Sequence, residues 1–300
     1  MLEMLTMPKS ILYVNYFPIF LLTLAACLNP DTLVAKETIQ WLWFEQAPYF
    51  VGKNPREGIG VGDELTRYFQ DSLPEYEHQN IRVNTVRYNS MIKNKNVCVP
   101  VAWLTRNERQ YLIQTRPHTV EPPAGIYVHQ SKQGQFGEPG SILSLKKLLK
   151  NNQLKLGALR GMEYSQEVDR LLESYKGSEN LLLIDAPMIE ISLKLLKLHR
   201  FDYVLGLPAQ KRMLNNLEIA DEYLFYNLQE ITTHVPMYAH CSNNPTGKKI
   251  IKKLNELLTN QHLITSIEYY ESWYEDNKSF RQIFMDYIVN KEAHPLVADM

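Results

Sequence analysis

The sequence has no excess of positive charge. Thirty-two Lys and Arg face 33 Asp and Glu, a formal net charge of -1, so the basic footprint of a nucleic-acid binder is missing. Metal-ligand spacing is missing too. There is no CxxC and no HExxH, and the eight histidines are scattered. No GxxxxGK[ST] and no GxSxG occurs, which removes the P-loop and the exposed-serine hydrolase from consideration. Asp169, Asp185 and Asp202 end or follow β/α elements without a matching nucleophile. No catalytic residue, metal site or cofactor is expected, and the protein is read as a non-enzyme. Internal repeats and low-complexity tracts are absent as well.

What the chain does have is an ordinary globular balance. Its 300 residues are 45% hydrophobic, enough for one large core or two modest ones. Eighteen tyrosines and four tryptophans supply side chains that either fill a core or line a pocket.

The first 26 residues run from a weakly basic head into the apolar stretch Ile11 to Ala26, the layout of a secretory leader. Asn15 and Pro18 interrupt it, and it is shorter than the ~20 residues a membrane-spanning helix prefers. Two processing sites compete. Leu24-Ala25-Ala26-Cys27 resembles a bacterial lipobox, with Cys27 lipidated, and Ala35 offers a cut farther on. Either places the mature chain in the periplasm. That compartment bears on cysteine, which is scarce. With Cys27 set aside, Cys98 and Cys241 remain, either as a disulfide or as two buried thiols.

Beyond the leader, 1–35, the pattern is α/β. Thr38 to Phe44 is a nearly continuous apolar strand, and Val61, Leu65, Tyr68, Phe69 and Leu73 have helical spacing. Ile81 to Tyr88 alternates as a strand, and Val97 to Leu104 is another. The proline-rich segment from Pro117 reads as a joint. Strands at 125–129, 154–159, 181–184 and 203–207 then alternate with helices. A last strand, VPMYAHC, precedes helices alone. Two β/α blocks separated by a joint predict two lobes, with ligands held beyond the carboxyl ends of the strands.

Two segments invite chemistry. Gly58-Ile59-Gly60-Val61-Gly62 has the glycines of a phosphate cradle but not the GxGxxG spacing, and it follows a long loop. It reads as glycines shaping the start of a closely packed helix. Thr105, Arg106 and Arg109 follow a strand, where a hydroxyl beside a guanidinium is suited to a carboxylate; a solvated charged turn is the alternative.

Taken in order, WFEQAPYF, GIGVGDELTRYF, VCVPVAWLTRNERQYLIQTRP, LKLGALRGMEYSQEVDRLL, LLKLHRFDYVLGLP and VPMYAHCSNNPTGKKIIKKLNELL resemble the type II periplasmic solute-binding proteins, in particular the family of amino-acid-binding receptors. The resemblance implies a two-lobed clam-shell of mixed, mostly parallel sheets flanked by helices. One lobe would comprise 36–118 and 234–300, the other 119–233, closing on ligand by hinge motion. It implies a monomer that captures a small polar or anionic ligand, amino-acid-like or an organic anion. The partner would be an ABC permease, or a signalling receptor if the protein is a sensor; an enzyme on the same fold is the remaining alternative.

The resemblance also implies site roles. Tyr49 would be an aromatic wall, Thr105 with Arg106 or Arg109 would hold a carboxylate, and the turn Gly161, Glu163, Tyr164, Ser165 would offer amides and hydroxyls. Glu45 is added as a polar group at the end of the first strand. Cys98 and Cys241 fall on first-lobe strands as a disulfide pair. The chain departs from the family at Gly206 and Leu207, where an acidic partner for a ligand ammonium is expected.

Overall fold

The computed structural model describes residues 36–46, 49–94, 96–105, 108–185, 189–216, 219–274 and 277–292. The leader, Cys27 and Arg106 lie outside these residues. The chain begins with β1 (Thr38–Trp43), α1 (Val61–Ser72), β2 (Glu77–Arg82), α2 (Thr85–Asn94), β3 (Val97–Ala102), β4 (Leu112–Gln114) and β5 (Thr119–Glu121). It then crosses to a second sheet through β6 (Gly125–His129), β7 (Ile142–Leu143), α3 (Leu145–Lys150), β8 (Leu156–Leu159) and α4 (Gln166–Ser174). That lobe continues with β9 (Leu181–Ile184), α5 (Ile189–Lys197), β10 (Tyr203–Gly206), α6 (Gln210–Asn216) and β11 (Tyr223–Leu228). The chain returns along β12 (Val235–Ser242) and ends in α7 (Pro245–Leu257), α8 (Asn260–Glu271) and α9 (Asn277–Ile283), followed by a π-helical turn at Phe284–Val289.

The first sheet has the order β2-β1-β3-β12-β4, with β5 against the start of β12. The near-continuous apolar run of β1 has a direct cause. Ile39, Trp41 and Trp43 pack on one face with Leu65 and Phe69 of α1, while Leu42 packs on the other with Val97 and Val99. A strand buried on both faces has no polar side. Cys98 and Cys241 sit opposite each other in the β3–β12 ladder and are disulfide-bonded, with Cα atoms 4.1 Å apart.

The second sheet has the order β7-β11-β6-β10-β8-β9. Its cores form on both faces, around Ile126, Leu156 and Leu205 on one and Tyr127, Val204 and Phe201 on the other. Both sheets are mixed, as expected. Parallel ladders (β1–β2, β1–β3, β7–β11, β8–β9, β8–β10) are matched in number by antiparallel ones, all of which involve β6 or β12. Helices start where the sequence provides caps: Ser144, Ser165, Asn244 followed by Pro245, and Thr259.

One expected element is corrected. The strand at Ile81 to Tyr88 ends at Arg82, and α2 begins at Thr85. Asn84 decides this, because its side chain accepts from the Arg87 amide while its carbonyl accepts from Tyr88. Tyr88 and Ile92, four apart, then point into the core, and Val86, which fits the alternation, is 80% exposed. The joint from Pro117 contains the short strand β5, which the prolines around it conceal. Strands β4 and β11 and helix α6 are likewise elements that the pattern does not announce.

Candidate functional site

Glu45 follows β1 and forms an ion pair with Arg82 at the end of the neighbouring strand β2. Arg82 also lies over the Trp43 ring, 5.9 Å from its centroid. Tyr49 is buried, and its hydroxyl donates to Glu121 on β5. Glu121 is 2% exposed. Its Oε2 also receives the Tyr274 hydroxyl at 3.4 Å, while Oε1 has no hydrogen-bond partner. Burial pushes the Glu121 carboxyl up to about 8. Tyr49 is therefore buried where the chain crosses between sheets, with its polar tip committed to β5.

The glycine segment between Tyr49 and α1 has no room for an anion. The amides of Gly62 and Asp63 donate to the Tyr49 carbonyl, and the Gly60 and Val51 amides donate to Asp63 Oδ2, each at 2.8 Å. A Cβ on Gly58 would come within 2.2 Å of the Asp63 carboxylate, and one on Gly62 within 2.6 Å of the Phe50 ring. The glycines permit close packing, so the amides that would cradle a phosphate are already used.

The second candidate segment follows β3. The Thr105 amide donates to Glu108 Oε2 at 2.9 Å, which closes a tight turn. Glu108 also takes the hydroxyl of buried Tyr88. Arg109 is exposed and close enough to buried His240 to depress its pKa further, after burial and the neighbouring His118.

The second lobe contributes the turn between β8 and α4. Gly161 has φ +77°, the left-handed conformation that a glycine adopts without strain. Tyr164 is buried and Glu163 is exposed. Ser165 caps α4 through Val168, and its hydroxyl donates to the Glu230 carbonyl at 3.4 Å. Asp169 accepts the Tyr164 amide at 3.1 Å. The Glu163 carboxyl is raised first by desolvation, then by Asp169 and by Glu108 of the first lobe. Glu108, after β3 of the first sheet, is thus within electrostatic reach of Glu163, after β8 of the second. Among the described residues no group of three or more His, Cys, Asp or Glu is placed to hold a metal ion.

No protein-family model matches this chain, and neither does any curated protein. Solved structures do match. The periplasmic VFT2 domain of Bordetella pertussis BvgS aligns over 79% of this chain and 93% of its own, at 13% identity and a TM-score of 0.54. The two-lobed architecture is therefore shared without sequence similarity. This chain has the type II periplasmic-binding-protein fold. Two further binding-protein folds support it. A histidine kinase sensor domain with similarity to periplasmic binding proteins aligns over 82% of this chain and 95% of its own, at 14% identity and a TM-score of 0.57. AbpA of Streptococcus pneumoniae, an amino acid ABC transporter substrate-binding protein bound to L-arginine, aligns over 81% and 95%, at 15% identity and 0.57.

Within this binding-protein fold, the expected residues divide into groups. Thr105 and Arg109 flank one turn and Gly161 to Ser165 share another; what relates them is the weak effect of Glu108 on the Glu163 carboxyl, after burial and Asp169. Tyr49 and Glu45 belong to the loop after β1, with their polar atoms paired to Glu121 and Arg82. Sequence reasoning passed over Glu108 and Glu121. Glu108 lies inside TRNER, between the two arginines expected to hold an anion. Glu121 carries no signal, since an acid beside two prolines is ordinary in an exposed joint.

Proposed function

We propose that the protein is an exported solute-binding protein that captures a small polar ligand between its lobes and presents the closed form to a membrane partner. The observation that supports it is the fold, which transporter binding proteins and sensor domains share over about four fifths of this chain; the Glu163 carboxyl, raised mainly by burial, also feels Asp169 and, least, Glu108 of the other lobe. One lobe holds β1–β5 with β12 and the C-terminal helices, so that 119–121 join 36–118, and the other holds β6–β11; the protein acts as a periplasmic monomer. Thr105 and Arg109 face the ligand's carboxylate, with Gly161, Glu163, Tyr164 and Ser165 opposite. The negative field at Glu108 and Glu163 favours a ligand that also carries a positive group, such as an amino acid or a related zwitterion, over a simple organic anion. Glu163 then supplies the acid that is missing at Gly206 and Leu207.

Importer and sensor are both in keeping with the fold, because solved neighbours include transporter binding proteins and sensor domains alike. Mass spectrometry of the denatured protein identifies what co-purifies, and thermal shift across amino acids, organic acids and small peptides tests capture. A stabilising ligand that is lost in Arg109→Ala or Glu163→Gln supports the proposal. Absence of any co-purifying molecule together with no shift across the panel refutes it.

A further inference from the structure

Helix α6 belongs to the second sheet by sequence and by packing. It follows β10, and its Leu214 lies in the core with Tyr127 and Val204. Yet the chain just before it, at Ala209, is fully buried among residues of the first lobe, including Tyr270 and Trp273. One turn into the helix, Arg212 reaches the end of α8. Its guanidinium lies over the Trp273 ring, 4.7 Å from the centroid. The same group donates to the Ser272 carbonyl and, at 2.6 Å, to Ser272 Oγ. A planar guanidinium is suited to stacking on an aromatic face while its edge donates hydrogen bonds.

The receiving turn is fixed to the first lobe. Trp273 is 5% exposed within that core. The Tyr274 ring stacks on Phe280 at 4.7 Å, and its hydroxyl approaches Glu121 on the crossing strand β5. The turn cannot follow α6 when the second lobe swings, so such a swing has to break the Arg212 contacts.

We infer that Arg212, Ser272 and Trp273 form a latch that holds α6 of the second lobe against the first lobe's C-terminal helices and thereby sets the balance between arrangements on which ligand affinity depends. This rests on the solute-capture reading for its purpose, but not for its existence. A ligand's apparent affinity scales with the fraction of protein already in the competent arrangement. A contact of this kind, once lost, changes that ratio by roughly tenfold.

The test needs no ligand. Small-angle scattering of the ligand-free protein is compared with that of Arg212→Ala and Arg212→Lys, with near-UV circular dichroism confirming that each is folded. The Ala variant is expected to expand, with a roughly tenfold larger open-to-closed ratio in a two-state fit. The Lys variant keeps the charge without the planar fork and falls between. Scattering curves for both variants that superimpose on wild type overturn the latch. Failure of the ligand panel with expanded variants would refute solute capture and leave the latch standing.

Discussion

The buried carboxyl of Glu121 yields a prediction whose sign and size follow from its surroundings. Its folded pKa is about 8, against an ordinary value of 4.5, because burial disfavours the charge by more than the Tyr274 hydroxyl bond favours it. An acid whose pKa is raised on folding contributes stability that is complete below pH 4.5. That stability drains away as pH climbs toward 8. A tenfold change in proton affinity is worth about 1.4 kcal/mol, so the wild type loses about 3 to 4 kcal/mol from this group between pH 5 and pH 8. In Glu121→Gln the amide oxygen still accepts from Tyr49 and Tyr274, and nothing titrates. Urea denaturation of both proteins at pH 5 and pH 8 reads the difference. Every other titrating group is common to the two and cancels. The variant should gain on the wild type by about 3 kcal/mol between the two pH values. A fixed offset at any level is compatible with this reasoning; a gap that changes by less than about 1 kcal/mol, or that moves the other way, refutes it.

Other predictions concern the core. His118 and His240 are held neutral by burial, each with its pKa pushed down to about 3 from 6.5. Their contribution is therefore complete above pH 6.5 and is lost on descending toward pH 3, by about 2 kcal/mol each at pH 5. His240→Gln should shift the acid-unfolding midpoint downward, and coincident midpoints would rule this out. The Cys98–Cys241 bond closes a sequence separation of 143, for which chain entropy gives about 5 kcal/mol. The Cys98→Ser/Cys241→Ser double variant should lose a few kcal/mol in denaturant titration, and equal stability would show that the bond adds nothing. Gly125→Ala would bring a Cβ within 2.3 Å of the Tyr226 carbonyl oxygen on the neighbouring strand. It should cost about 2 kcal/mol or more in a melting experiment, and an unchanged midpoint would contradict the close approach of β6 and β11.

The fold was readable wherever burial was local and periodic. The run at Thr38 to Trp43 and the helix at Val61 each show their burial in their own spacing, whereas the all-apolar edge strand at Leu181 buries only Leu181 and leaves Leu182 41% exposed. The segment at 81–88 was not readable in this way. Two periodicities overlap there, and the choice fell to the Asn84 cap and to a core pocket that accepts Tyr88 and Ile92 together. Strands of three residues, such as β4 and β5, are too short to show a period at all. The candidate site was partly readable: hydroxyl and guanidinium side chains after a strand mark the Thr105–Arg109 turn, and a glycine before a capping serine marks the turn at 161–165. Nothing local relates those two turns, which lie far apart in the chain.

By itself the sequence determined the α/β alternation, the two blocks and the joint between them, because hydrophobic spacing and turn chemistry act over a few residues. It also excluded, through motifs whose spacing is rigid, the P-loop and the nucleotide fingerprint. Only the tertiary structure decided that the amides around the GIGVG segment are used by Tyr49 and Asp63. Only it decided that Glu121 is buried with one oxygen unpaired, and that Arg212 of one lobe lands on Trp273 of the other. Each of these depends on groups brought together from distant parts of the chain, where proximity is set by packing and not by spacing along the sequence.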